Sequence, residues 1–346
     1  MAFYIEVHLN STGVLSMSRP RDKRIERLRD LLERSGFYVT GTSGVRPSSF
    51  DLAARRDATL LLLKILKNID ALDPEEASRL LELGRVFPAV VLLVGERSGA
   101  SDLESGVVYT RYGVPIVNEA TLQEYLEKAF PPFLYASPGG IFARIDGDRL
   151  RFLRVTRGLS LGSLAAVGGV SRRAIQLYEE GQGAEASVVE RIEAYLDAPI
   201  VVPIELFGPP TRPPRGNTAE ETKKGGKPPT PEPPRAPSGD ALRDGVFDQL
   251  DGMGLEVTVT IRAPFDAVAR AREILLTGVG SLRAAAHRAE VLHGIARVAE
   301  GHAMFIVRED VHRPSIAGLP ILNVKELRRL RGPDELLDDL TEREGP

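Results

Sequence analysis

Residues 152–200 read FLRVTRGLSLGSLAAVGGVSRRAIQLYEEGQGAEASVVERIEAYLDAPI, and their small and hydroxyl-bearing residues divide them into short helices. Ser160 is placed to cap a helix whose Leu161, Leu164 and Ala165 turn inward. Gly168-Gly169 supplies a turn, and Ser171 caps a second helix running from Arg172 to about Glu180. On that second helix Ile175 and Tyr178 share the inward face, with Ala174 beside them, which leaves Arg172, Arg173 and Gln176 on the other face. Between Arg149 and Glu180 six arginines stand against two carboxylates, a local charge of +4.

A tri-helical helix-turn-helix has this arrangement, because one short helix must enter the major groove of a duplex while its neighbour and backbone amides meet phosphates. Arg157, Gly158-Leu159-Ser160, Leu164-Ala165, Gly169-Val170-Ser171, Ile175, and Glu179 with Gly181 resemble the pattern of the Cro/C1-type helix-turn-helix domain. That resemblance implies base-edge positions at Arg172, Arg173 and Gln176, and DNA-backbone positions at Arg157, Ser160 and Ser163. Arginine pairs with guanine O6/N7 and glutamine with adenine N6/N7, so the residue types suit the task. Leu161 departs from the family, which often has glutamine after the serine that starts this helix, so one usual polar contact is missing. A merely solvated helix face is the competing reading of the arginines.

Working outward, the chain has 346 residues, a length that at about 150 residues per domain suggests two or three domains. Its 45 lysines and arginines against 48 aspartates and glutamates give a formal charge of -3, so the average conceals the basic segment. The absence of cysteine excludes a disulfide framework, Fe–S clusters, thiolate zinc sites and a cysteine nucleophile. With no signal peptide, it suits a reducing, cytoplasmic compartment. The longest strongly apolar run, Ala89 to Val94, falls far short of a membrane span, so a soluble chain without a membrane partner is expected.

Residues 208–239 contain ten prolines and five glycines and almost no apolar side chains, the composition of a solvated linker. The sequences on its two sides run in parallel. LLERSGFYV, RPSSFDLAAR, PAVVLLVGE and YGVPIVNEATLQEYL in front correspond to FDQLDGMGLEV, RAPFDAVAR, AMFIVRE and AGLPILNVKELRRL behind. Pro115 to Asn118 and Pro320 to Asn323 share Pro-Ile-x-Asn, and Phe50-Asp51 matches Phe265-Asp266. This order is expected of a degenerate duplication of one α/β unit, read in each copy as helix, strand, turn, strand, helix, strand, short strand and helix. In the front copy Ile25, Leu28, Leu31 and Leu32 mark a helix face ended by Gly36. Leu60 to Leu66 and Val90 to Val94 are buried strands, and Asp73-Pro74-Glu75-Glu76 opens a helix. Asn118 and Asn323 are placed to cap the helices that follow them. GGIFARIDGDRL is expected to form a hairpin.

The front unit also resembles a restriction-endonuclease-like domain in the spacing of Asp51 and Leu61-Leu62-Leu63-Lys64. Such a site needs two carboxylates for a divalent metal and a lysine near the attacking water. Leu62 occupies the second acid position, and in the back copy Asp266 is followed after Ile274-Leu275-Leu276 by Thr277 and Gly278 rather than a lysine. Asp51, Leu62 and Lys64 are therefore degenerate positions, and catalytic residues are expected to be absent. Asp51 is expected to pair with Arg46 or Arg55, and Lys64 to extend its amine past a buried strand end. His287, His293, His302 and His312 make no compact metal motif, and the glycines form neither GxGxxG nor GxxxxGK[ST], so no metal or cofactor is expected. Seven positive residues against four acidic ones between Arg19 and Arg34 suit phosphate contacts or an ordinary solvated helix equally.

Through RPSSFDLAARR, LLLLKILKNID, GVVYTRYGVPIVN, PPFLYASPGG and SLGSLA, the arrangement resembles a family of archaeal HTH-type transcriptional regulatory proteins, most strongly over residues 20–207 and more loosely after the linker. The expected architecture is a multidomain chain of two related α/β domains, both degenerate restriction-endonuclease-like, with an all-α helix-turn-helix domain between them. Its parts are an α/β domain over 1–135, a β-hairpin connector over 136–150, the helix-turn-helix over 151–207 and the linker over 208–239. A second α/β domain over 240–335 and a flexible tail over 336–346 complete it. The expected partner is a double-stranded DNA operator bound by a homodimer, with the α/β domains serving dimerisation or the sensing of an unspecified small-molecule effector. A metal-dependent DNA endonuclease or resolvase, and a noncatalytic protein-interaction scaffold, are the rival functions.

Overall fold

The computed structural model describes residues 20–42, 45, 48–208 and 239–344. Residues 209–238, almost all of the expected linker, lie outside the described residues. In the front unit α1 (Pro20–Arg34) buries Leu28, Leu31 and Leu32 and ends where Gly36 adopts φ 82°. The chain then forms β1 (Tyr38–Gly41), β2 (Leu52–Arg56) and β3 (Thr59–Asn68) as an antiparallel ribbon. The strand at β2 adds an element to the expected order. Arg56 pairs with Thr59 across a two-residue turn in which Asp57 takes φ 52°, a conformation aspartate tolerates better than most residues.

Asp73 caps α2 (Pro74–Val86) by accepting from Glu76 N, and α2 crosses over to β4 (Val90–Ser98), which lies parallel to β3. After β5 (Ser101–Asp102), β6 (Val107–Arg111) and β7 (Val114–Val117) form a hairpin, and Asn118 caps α3 (Glu119–Lys128) through Thr121 N. Next come β8 (Leu134–Ser137) and β9 (Gly140–Ala143). This is the connecting hairpin, set earlier than GGIFARIDGDRL was expected to place it. The Asp146-Gly147 pair is a helix start rather than a hairpin turn, since Asp146 accepts from Arg149 N.

The middle module follows as α4 (Gly147–Thr156), α5 (Leu161–Gly168), α6 (Arg172–Glu179), β10 (Ala184–Glu185) and α7 (Ala186–Leu196). It is continuous with the front unit. The sheet runs β1-β2-β3-β4-β7-β6-β8-β9-β10, so its last strand belongs to the helical module. A bridge between Ile145 and Val201 adds a second join. A third is the segment after α7, where Ile204 and Leu206 are buried in the front core and Phe207 packs edge-on against Phe37 and Tyr125.

The back unit consists of α8 (Ala241–Gly252), β11 (Glu256–Val259), β12 (Ala267–Arg270), β13 (Ile274–Gly280), α9 (Leu282–Ala299), β14 (His302–Val307), β15 (Ser315–Ile316), β16 (Leu319–Asn323), α10 (Val324–Leu327) and α11 (Pro333–Glu344). Its sheet order β11-β12-β13-β14-β16-β15 repeats β1-β2-β3-β4-β7-β6, with the same parallel and antiparallel pairs. Asn323 caps α10 with a full capping box, as its position predicts. The expected flexible tail is instead helical through Glu344, because Leu336 and Leu340 are one turn apart and both fully buried in the back core.

One hydrophobic core runs through both α/β units. The α2 side of the front sheet (Leu62, Leu80, Leu83, Phe87) and the α9 side of the back sheet (Phe265, Leu292, Ile295) bury each other. Polar contacts cross the same boundary in both directions: Arg55 donates to Val298 O at the end of α9, and Arg270 donates to Val86 O at the end of α2.

Candidate nucleic-acid interface

Two serine caps set the helix ends of the middle module. Ser160 Oγ accepts from Ser163 N at 3.0 Å and Ser171 Oγ from Ala174 N at 3.1 Å. Between the helices Gly169 takes φ 66°, the left-handed conformation that closes α5 and turns the chain into α6. Leu164, Ala165, Ile175, Val189 and Ile192 form the module's core, and Leu161 packs against it. The position where a polar contact was missing is therefore apolar because it serves that core.

Arg172, Arg173 and Gln176 are all exposed on α6, while Ile175 and Glu179 face inward. Arg157, Ser160 and Ser163 are exposed at and after the end of α4 and at the start of α5. All six residues are solvent-exposed, with Arg157 closing α4, Ser160 and Ser163 at the start of α5 and the other three on α6. Arg172 lies across α5. A Cβ at Gly162 would stand 2.9 Å from its Nε, so glycine there makes room for the guanidinium beside the α5 N-terminus. Among the described residues Arg173 pairs loosely with Glu180, at 3.9 Å. The Ser160 hydroxyl is engaged with the Ser163 hydroxyl at 2.8 Å as well as with its cap.

The local charge of +4 is not spread evenly over this face. Glu179 is buried and receives Arg154 through Nε at 2.5 Å and Nη2 at 3.0 Å, with Arg151 at 3.4 Å. Arg154 also donates to Leu159 O, so one guanidinium ties α4, the α4–α5 turn and α6 together. Its hydrogen bonds to Glu179 hold it above the ordinary arginine pKa. Arg149 is occupied by Pro199 O and Arg191 by Gly168 O. The outward cations on and beside the two helices are Arg157, Arg172 and Arg173. Spacing alone exposed the outward residues, whereas the Arg154–Glu179 clamp joins positions 25 apart in sequence and left only the glutamate visible.

The basic opening helix is used differently. Arg21 pairs with Asp51, Arg24 with Glu96, Arg27 with Glu119 and Arg34 with Glu127. These pairs fasten α1 to the front unit.

At the nuclease-like positions, Asp51 has a fully buried side chain, with Oδ1 2.8 Å from Arg21 Nη2 and Oδ2 2.8 Å from Ile65 N. Its partner on α1 is Arg21; Arg55 instead reaches Val298 O and Glu300, and Arg46 lies outside the described residues. Lys64 does not extend past the strand end. Its amine is buried, 2.5 Å from Glu76 Oε1 and 3.1 Å from Ser48 O. Leu62 is packed in the core under α2. The divalent metal that such a site would use does not fit these residues: one carboxylate is tied to a guanidinium and an amide, the second position is apolar, and the lysine is neutralised by a helix residue. Among the described residues no group of three histidines, aspartates or glutamates is arranged to hold a metal ion. No helix among them is long and apolar enough to cross a membrane.

Fold and surface together define a helix-turn-helix protein built onto a nuclease-like α/β scaffold that lacks the acid pair. Family comparisons agree in both parts, matching a PD-(D/E)XK superfamily domain at residues 21–131 and a helix-turn-helix at 150–202. Relatives bearing the name "Putative HTH-type transcriptional regulatory protein" match along nearly their whole length. That of Halorubrum lacusprofundi is 35% identical, covering 93% of this chain and 97% of its own. That of Halobacterium salinarum is 36% identical over 93% and 98%, and that of Methanospirillum hungatei 33% over 92% and 98%. The chain belongs to this archaeal HTH-type transcriptional regulatory protein family. No solved structure matches it significantly.

Proposed function

We propose that the chain is a sequence-specific, duplex-DNA-binding transcriptional regulator whose α6 enters the major groove. The observation that carries this reading is the outward trio Arg172, Arg173 and Gln176 on a helix whose inner face is locked by Glu179 and Ile175. Arg173 and Gln176 meet base edges, and Arg172 does so by leaving its place over Gly162. Arg157, Ser163 and the N-terminal amides of α5 meet phosphates, with Ser160 holding the helix end in shape. Two chains bind symmetric half-sites about 34–36 Å apart.

The α/β units are two copies of one ancestral fold retained for pairing. Support comes from matched details rather than from strand order alone. Asp266 accepts from Val279 N and pairs with Arg243 of α8, as Asp51 accepts from Ile65 N and pairs with Arg21 of α1. Thr260 donates its hydroxyl to Phe265 O, as Thr42 does to Phe50 O.

Arg172→Ala and Gln176→Ala are each expected to relax base preference at one position and to weaken binding to the preferred site by about 1–3 kcal/mol. Arg157→Ala is expected to weaken all sequences alike and to reduce the salt slope by about one. Titrating each variant with selected and scrambled duplexes at two salt concentrations separates the two patterns. Equal losses on both duplexes for Gln176→Ala would refute the assignment to bases.

A further inference from the structure

The contacts between the two α/β units reciprocate. Arg55 of β2 donates to the carbonyl at the end of α9, and Arg270, at the matching place on β12, donates to the carbonyl at the end of α2. Gly294 of α9 lies against Thr40 of β1, and Leu83 and Val86 of α2 line one narrow gap with Thr258 and Val259 of β11. Phe265, just before β12, meets Phe87 edge-on with centroids 5.7 Å apart. The pairing registers make Thr40 the counterpart of Thr258, since each faces the corresponding residue of its ribbon, Ala53 or Val268. Phe50 and Phe265 both precede the buried aspartates, and Arg55 and Arg270 both follow them by four residues.

The residue types agree at all three places. What the back unit offers α2 is a threonine, a phenylalanine and an arginine, and the front unit holds the same three in the same positions. We infer that the front unit's α2 face is self-complementary: it fits the front unit of a second copy of this chain, and the back unit fills that face from within the chain. A self-complementary surface of this kind closes a twofold dimer. The helix-turn-helix stands away from the ribbon that would make this contact, because β1 lies at one end of the sheet and β8, β9 and β10, which carry that module, lie at the other. Tethering gives the back unit the higher local concentration, so the closed single chain is the resting form. Opening it releases a dimerisation face and holds two helix-turn-helix modules in a twofold relation. Only that last consequence rests on the DNA-binding reading.

The test uses the full chain carrying Gly294→Trp and Arg270→Glu. Both changes lie on the back unit's side of the boundary and spoil its fit to the front without touching the front unit. Light scattering is expected to show an about twofold rise in molar mass over the wild-type chain. Adding Thr40→Trp, which spoils the front face itself, is expected to return the mass to that of one chain. A single-chain mass for the first variant, or a dimer that survives Thr40→Trp, would overturn the inference. Should circular dichroism show the tryptophan variant unfolded, Gly294→Glu carries the same two expectations with less added bulk. Mass is read without DNA, so failure here is distinct from failure of DNA binding.

Discussion

Glu179→Ala is expected to destabilise the helix-turn-helix module by about 3–5 kcal/mol. Glu179 is buried, and Arg154, whose side chain is only 15% exposed, faces it through two hydrogen bonds. Removing the carboxylate leaves a largely buried guanidinium, still donating to Leu159 O, with its charge unanswered. The reverse loss, Arg154→Ala, leaves the carboxylate with the longer contact to the exposed Arg151 and frees Leu159 O as well. Exchanging both partners for apolar residues of similar size, Arg154→Met with Glu179→Leu, is expected to restore most of the loss, because the pair's desolvation disappears along with its attraction. Chemical denaturation of the three variants, followed by far-ultraviolet dichroism, measures the difference. A Glu179→Ala loss below about 1 kcal/mol would place the pair among solvent-screened surface bridges and remove its role as a clamp.

The second large effect concerns Asp51, where the structural and the nuclease readings diverge. Asp51→Ala is expected to destabilise the front unit by roughly 2–4 kcal/mol, since it leaves Ile65 N–H without its acceptor inside the sheet and Arg21 without its carboxylate. Asp266→Ala is expected to act at least as strongly on the back unit, because Arg288, Arg243 and Val279 N all converge on that side chain. A catalytic aspartate behaves oppositely: its loss leaves the melting curve in place and abolishes divalent-metal-dependent cleavage. Thermal melts of both variants alongside a plasmid-cleavage assay distinguish the cases. An unshifted melt for Asp51→Ala would contradict its assignment as the tie between α1 and β3.

Residues that act on their near neighbours were legible in the sequence. Ser160, Ser171, Asn118 and Asn323 announced their caps, and Gly169 its turn, since each works within three or four residues of itself. The outward trio on α6 followed from helical periodicity alone. Features that depend on what arrives from elsewhere were not legible. Asp-Gly at 146–147 suits a hairpin turn and a helix cap equally, and the pairing of β8 with β9 decided between them by placing the hairpin earlier. Leu336 and Leu340 sit in an acidic run that looks solvated until the back core is there to receive them. The carboxylate that neutralises Lys64 comes from the first turn of α2, a partner that an acid-x-lysine spacing on one strand does not reveal.

Charge shows the same division. The formal charge of -3 is an average over an opening helix in which four of five arginines are spent on ion pairs and a middle module where Arg157, Arg172 and Arg173 point outward. Fixing that module in the front unit's sheet by β10 and by the segment through Phe207 gives α6 one orientation relative to the scaffold. A twofold pair of scaffolds would then set the spacing of two reading helices without help from the linker.

Selection of duplexes from a random pool by the full-length wild-type chain, with the Arg172→Ala Arg173→Ala Gln176→Ala chain run in parallel, tests the central claim most directly. The wild type should enrich one short motif, arranged as two half-sites about one helical turn apart, and the triple variant should lose that enrichment while keeping salt-sensitive affinity for any duplex. Enrichment of no motif by the wild type at low or moderate salt, or the same motif from both chains, would contradict the assignment of α6 as the reading helix.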